Sequence, residues 1–167
     1  MFARRHSQTA RIIGFGTVFL VFLADQLSKL WVLRGLDLNG PASSGQIEIL
    51  PFFNLTMVWN MGISFGLFPA ENTVMRVVFI VFSVAVSIYL ASWIWRSTRQ
   101  LQAIACGMII GGALGNALDR IIHGAVADFL DFSGLYFPWV FNIADAAISV
   151  GVVLLLLDFF IHGEDGK

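Results

Sequence analysis

The sequence predicts an all-α polytopic membrane protein, four transmembrane helices with a small extracytoplasmic β-sheet, built as a single integral membrane domain over residues 1–167. Three observations carry that expectation. Hydrophobic residues make up 57% of the chain and charged residues 13%, against roughly 45–50% and 25% in soluble domains. The mean hydropathy is +0.80, more apolar surface than a globule of this length can hide, so the surplus faces lipid. Four apolar runs reach the roughly 20 residues that a helix needs to cross a hydrocarbon core about 30 Å thick.

The first run, about 12–33, carries Asp25 and Lys29. Basic residues precede it as in a secretory signal peptide, but it continues through Asp25-Gln26-Leu27-Ser28-Lys29 without a small-residue cleavage site and is expected to stay as a span. The connection that follows, about 35–73, reads as a β-rich insertion. Gly40, Pro41 and Gly45 punctuate it, and Gln46–Leu50 and Phe52–Asn60 then read as two strands separated by Pro51. In the second strand Phe53, Leu55, Met57 and Trp59 share one face, and Phe52, Asn54, Thr56, Val58 and Asn60 the other. A sheet this apolar is expected to lie at the membrane surface or to cover something. The second run, about 74–95, has only Arg76 near its start; the third, about 101–122, ends in Asp119-Arg120; the fourth, about 141–161, holds Asp145 near its start and Asp158 near its end.

Orientation follows from the basic residues. Arg4, Arg5 and Arg11 precede the first span, Arg96 and Arg99 fill the turn between the second and third, and Lys167 closes the chain, whereas the connections 35–73 and 123–140 contain no Lys or Arg. Positive-inside logic puts both termini in the cytoplasm and the two longer connections outside. The net charge of -1 offers no footprint for nucleic acid. A single cysteine, Cys106, cannot build a Cys-rich metal site, and His6, His123 and His162 are scattered with no H-E-x-x-H, so a zinc protease is excluded. No metal or organic cofactor is expected.

An ionisable group inside a bilayer costs at least a few kcal/mol, so each is a functional candidate. Nearly all of them collect toward the outer leaflet. Asn116, Asp119 and Arg120 stand at i, i+3 and i+4 on the third span, and Asn142, Asp145 and Ser149 at i, i+3 and i+7 on the fourth, each trio on one helix face. Gly107, Gly111 and Gly115 form a small-residue ridge leading to Asp119, which would pack the helices closely and bring the polar ends together. Asp25 and Lys29 at i,i+4 read as a structural ion pair, and Asp119-Arg120 as part of a supporting network. Asp131 reads as a solvated loop residue and Asp158 as an inner-boundary one. Asp128 and Asp145 have no obvious local basic partner and sit where the chain re-enters lipid; local reasoning leaves them open between catalysis and structure.

At this point the residues resemble a known family, the lipoprotein signal peptidases (signal peptidase II), membrane aspartic peptidases of bacteria. Five blocks in order on four spans carry the resemblance. Asp25-Gln26-Leu27-Ser28-Lys29 looks like the family's D-Q-x-S/T-K, Asn60-Met61-Gly62 with Phe65-Gly66 like its N-x-G-x-x-F segment, and 111–120 like its G-G-x-x-G-N-x-x-D-R. Residues 124–129 look like G-x-V-x-D-F, and 141–145 like F-N-x-A-D; Ile63-Ser64 departs by standing where many members have two small residues. The resemblance implies that Asp128 and Asp145 are the catalytic pair, that Asn60, Gly62, Asn116, Arg120 and Asn142 bind substrate or brace the site, and that Asp25, Lys29 and Asp119 support it. The substrate would be a prolipoprotein cut before a diacylglyceryl-modified cysteine, at the periplasmic face of the bacterial inner membrane, by a monomer surrounded by membrane lipid.

Two other readings compete. Intramembrane Asp and Arg also mark proton- or ion-coupled transporters, but such a route needs polarity through the midplane, and 79–94 and 146–157 carry no charge. A Ser/Lys peptidase dyad would use Lys29 with Ser28, Ser64 or Ser149.

Overall fold

The structure, a computed structural model, describes residues 2–40, 43–62 and 73–162. The expected positions Pro41, Ile63, Ser64, Phe65, Gly66 and Lys167 lie outside the described residues. Helix α1 spans Phe2–Leu30 and continues as a π-helical turn, Trp31–Gly35; α2 spans Thr73–Arg96, α3 Gln100–Ile122 and α4 Ile143–His162. Four segments, α1 with its π turn among them, are long and apolar enough to cross a membrane. Their bounds match the expected spans to within a residue or two, except that α1 begins well before residue 12.

Helix α3 is the centre of the bundle: 67% of its apolar window is buried, against 17%, 17% and 22% for the spans of α1, α2 and α4. Its small residues are the reason. A Cβ on Gly107 would fall 2.5 Å from the Gly14 carbonyl oxygen, and one on Gly111 would fall 2.8 Å from that of Val18, so α1 lies directly on the ridge. On the adjoining face, a Cβ on Gly112 would come within 2.5 Å of the Ala144 carbonyl oxygen of α4. The lipid-like faces of the outer helices, with Phe19, Leu20, Phe82, Ile88, Val153 and Phe159, stay exposed. Leu90 and Ile94 of α2 complete a core with Cys106, Ile109 and Ile110 of α3.

At one end of the bundle lies an antiparallel sheet in the order β1-β2-β3-β4, with β1 Gln46–Leu50, β2 Phe53–Asn60, β3 Val126–Asp131 and β4 Val140–Phe141. A second core seats it: Val32 of the π turn and Leu38 pack against Leu55 and Phe129. The expected strands β1 and β2 are present. The alternation expected along β2 does not run through, because the pairing with β3 shifts register between Leu55 and Val58; a bulge of this kind re-aims the strand's far end.

Two expectations are corrected. Residues 123–140, read as a plain connection, supply β3 and β4, and Asp131, expected to be solvated, is 5% exposed. Nearly every residue of β3 is buried, so its sequence lacks the period-2 pattern of a half-exposed strand. Asp131 accepts from Thr56 Oγ1 at 2.6 Å and from the Ser133 amide at 2.9 Å, and these bonds, that of Thr56 foremost, hold its carboxyl below the ordinary carboxylate range. At the opposite end of the bundle Asp158, expected at a boundary, is 1% exposed. Its Oδ2 lies 3.2 Å from Arg99 Nη2 and its Oδ1 3.4 Å from His162 Nδ1. The packing of α4 against the α2–α3 turn covers it, which sequence position alone does not reveal.

Candidate active site

Local chemistry first fixes the start of α4. Asn142 precedes the helix, and its Oδ1 accepts the Asp145 amide at 2.9 Å while Asp145 Oδ2 accepts the Asn142 amide at 3.2 Å. This reciprocal capping box satisfies two backbone donors and aims the Asp145 carboxylate back over the helix N-terminus. A third donor, the Ala144 amide, goes to Asp25 Oδ1 at 3.0 Å, so α1 and α4 are tied at the same level.

Beneath that terminus lies an ion network. Lys29 Nζ donates to Asp25 Oδ2 at 2.8 Å, to Asp119 Oδ2 at 2.8 Å and to Asn116 Oδ1 at 3.1 Å, engaging all three of its N–H groups. Asp119 Oδ2 also accepts the Ala127 amide at 3.1 Å, fastening β3 to α3. The expected ion pair is therefore present and larger than a pair. Neither Ser28 nor Ser149 faces Lys29: the Ser28 hydroxyl donates to Asp25 O and that of Ser149 to Asp145 O.

Above it the two remaining carboxylates are held by neutral donors. Asp128, on β3 and 2% exposed, accepts from Asn142 Nδ2 at 2.7 Å on Oδ1 and from Asn60 Nδ2 at 2.9 Å on Oδ2. Asp145, half-buried, accepts from Asn116 Nδ2 at 2.8 Å on Oδ1. Asn142 thus bonds both carboxylates, and Asn116 joins them to the ion network below. Burial, and next the charge of Asp145, push the Asp128 carboxyl up to about 7. Charge cannot easily accumulate on two such neighbours, so one proton shared between them is the favoured state near neutral pH.

The structure thus brings together nine of the ten residues singled out in the sequence through direct hydrogen bonds. Gly62 contributes through its backbone, donating to Asn60 Oδ1 at 3.0 Å and so orienting the Asn60 amide toward Asp128. Arg120 stands slightly apart. Its Nη1 donates to Asn116 O at 3.3 Å and its guanidinium lies 5.1 Å from the Phe79 ring centre, from where its charge acts on Asp145 and Asp128 through space. Gln26 was not singled out, although it stands in the quoted Asp25–Lys29 block. Its Nε2 reaches Asp25 Oδ2 at 3.1 Å, Asp119 Oδ1 at 3.3 Å and Gly115 O at 3.3 Å. Its place between two carboxylates on different helices was the missing information.

Two solved structures share this architecture, each described as a bacterial membrane enzyme structure obtained by the in meso method. One superimposes with a TM-score of 0.77 at 24% identity, covering 92% of this chain and 91% of that one. The other gives a TM-score of 0.70 at 26% identity over 87% and 91%. Fold and apolar spans define the class as a multi-pass membrane protein. The Peptidase_A8 family model, described as Signal peptidase (SPase) II, matches residues 17–161. The lipoprotein signal peptidase of Caulobacter vibrioides is 49% identical over 154 residues, 92% of this chain and 89% of that protein, and the one from Beijerinckia indica is 43% identical over 93% and 92%. The chain belongs to the signal peptidase II family, and it is a peptidase that removes signal peptides from prolipoproteins.

Proposed function

We propose that the protein is an aspartic endopeptidase in which Asp128 and Asp145 are the catalytic pair, cutting the signal peptide just before a diacylglyceryl-modified cysteine. One observation carries the reading: two buried or half-buried carboxylates, linked through Asn142, carry neutral donors where the neighbouring carboxylates carry a cation. Peptide hydrolysis needs a base to activate water and an acid at the carbonyl, and a pair sharing one proton supplies both. Asp128, with its raised affinity for the proton, donates it to the scissile carbonyl oxygen. Asp145 takes a proton from the attacking water. The tetrahedral intermediate then collapses as the proton held by Asp145 passes to the leaving amine, and Asp128 recovers its own from the new carboxyl group. Asn60, Gly62, Asn116, Arg120 and Asn142 hold the pair in register, and Asp25, Lys29 and Asp119 hold the frame beneath.

Orientation belongs to the same proposal. Arg11, Arg96 and Arg99 lie at the end of the bundle away from the sheet, with Arg11 Nε donating to Trp95 O at 2.7 Å. Arg34 and Arg76 lie at the sheet-side ends of the first two spans, so the asymmetry rests on the connections rather than on every terminus. The sheet and the carboxylate pair then face the periplasm across the inner membrane, with both termini cytoplasmic and a single chain sufficient for the site.

The decisive experiment compares cleavage of a diacylglyceryl prolipoprotein by purified wild type, Asp128→Asn and Asp145→Asn. Either variant, folded and membrane-inserted, keeping more than about a tenth of turnover, a loss under roughly 1.4 kcal/mol, would remove the dyad. For orientation, cysteines at the exposed Ser44 and Ser133 should react with an impermeant thiol reagent from outside, and one at the exposed Thr98 should not. Thr98 is the better inner probe, since its neighbour Ser97 is buried and bonded to Gln102 Oε1.

A further inference from the structure

Two clefts meet at the carboxylate pair, one on each side of Ile148, and their chemistry differs. The smaller, about 290 Å³, lies between α2 and α3 and includes Phe79, Val86, Asn116 and Arg120. The larger, about 510 Å³, starts at Asp145 and follows α4, with Phe137, Trp139 and Phe141 as one wall and Ile148 and Val150 on the other. Val150 stands roughly 7.5 Å along the helix axis from Asp145, so the cleft leads from the carboxylate down toward the hydrocarbon core.

The larger cleft is apolar almost throughout. Besides Asp145, its polar side chains include Ser149, whose hydroxyl is already donated to Asp145 O at 2.8 Å. A strand of peptide entering from lipid needs partners for every backbone group; this cleft has little to offer them, whereas the Arg120 and Asn116 side chains stand in the other one. The aromatic wall is also braced from behind. Phe137 meets Trp139 edge-on at 5.1 Å and Phe141 at 5.9 Å, Phe141 stacks on Phe132 at 5.7 Å, and Phe132 rests on Phe53 of β2 at 4.8 Å. Tyr136, at φ 60, turns the chain just before this wall.

We propose that the cleft along α4 is an acyl-chain subsite: it takes one fatty acyl chain of the substrate's lipidated cysteine, with Trp139 and Val150 setting chain-length preference, while the signal peptide occupies the side lined by Arg120. The inference rests on the reading above that the substrate carries diacylglyceryl cysteine at the cut. Acyl chains gain little on moving from bilayer to an apolar wall, since lipid tails are as apolar as the side chains. The subsite therefore positions rather than binds: a chain threaded along α4 fixes the depth and azimuth of the cysteine beside Asp145, and its loss appears in kcat more than in KM.

The test uses the full-length enzyme in phosphatidylcholine nanodiscs and two synthetic prolipoprotein peptides, one with hexadecanoyl and one with hexanoyl chains. Wild type should turn over the long-chain substrate about tenfold faster, and Val150→Trp, which fills the cleft, should bring that ratio to about one by slowing the long-chain substrate alone. An unchanged ratio in a Val150→Trp protein of wild-type melting temperature would overturn the subsite. Should that variant not fold, a second measurement decides. A substrate with a diazirine at the acyl terminus, bound to Asp145→Asn, should label 137–150. Labelling confined to 79–86, or equal labelling of 137–150 by a diazirine phospholipid, would overturn the proposal. Turnover by Asp145→Asn itself would instead sink the dyad reading, so the two failures are separable.

Discussion

Asp25 and Asp119 share one lysine; Asp128 and Asp145, one layer above them, share asparagines. Both sets are drawn from sequence-distant elements, and both are largely buried, yet the first is neutralised by a cation and the second is not. A buried carboxylate beside an ammonium keeps its charge and serves as a fixed strut, and removing the partner leaves an unpaired charge in a low-dielectric interior. A buried carboxylate bonded only to neutral amides retains a choice of protonation state, which is what acid–base work requires. Asn116 joins the two sets, giving its Oδ1 to Lys29 and its Nδ2 to Asp145. The difference separates scaffold from chemistry within a single hydrogen-bonded cluster.

The largest expected effect falls on rate. Asp128→Asn and Asp145→Asn should each lower turnover by about a thousandfold or more, and the double variant should be scarcely worse than either, because the two act as a unit. Multiplying losses in the double variant, measured by single-turnover cleavage, would mean that the carboxylates act independently.

Next comes stability. Lys29→Met strands Asp25 and Asp119 and should cost about 3–5 kcal/mol in reversible unfolding from detergent. Restoring Asp25→Asn on that background should recover part of the loss. A Lys29→Met protein as stable as wild type would dissolve the distinction between the two sets.

The third effect is a pH dependence. Because the folded state holds the Asp128 proton up to about pH 7 and the unfolded state releases it near the ordinary carboxylate value, the fold binds more protons through that window. Stability should consequently fall as pH rises from about 4 to 7, and cleavage should decline above about pH 7 as the shared proton is lost. In Asp128→Asn the stability slope over that window should flatten; an unaltered slope would assign the titration to another group.

Smallest is a control outside both sets. Thr56→Val removes the bond to Asp131 that pins β2 to β3, and should cost about 1 kcal/mol, with cleavage falling no more than a few-fold. A larger loss of activity than of stability would mean that the sheet orients Asp128 directly rather than through its fold.

The amino-acid sequence by itself determined the four spans, since length and hydropathy alone decide whether a helix crosses a bilayer. The glycine ridge likewise gave α3 its central place. The capping box at Asn142 and Asp145 and the i,i+4 pair of Asp25 and Lys29 were also legible, because each is a local pattern whose geometry follows from helical spacing. Tertiary structure decided the rest. Burial of β3 on both sides removed the alternation that announces a strand, so Asp131 looked solvated and the sheet looked two-stranded. The partners of Gln26 lie on another helix and those of Asp158 on the far turn, contacts that no spacing rule contains. Asp128 and Asp145 are 17 residues apart in the chain. Only the docking of β3 against the capped start of α4, through Asn142, makes them neighbours, because a shared proton depends on distance in space and on exclusion of water rather than on separation in sequence.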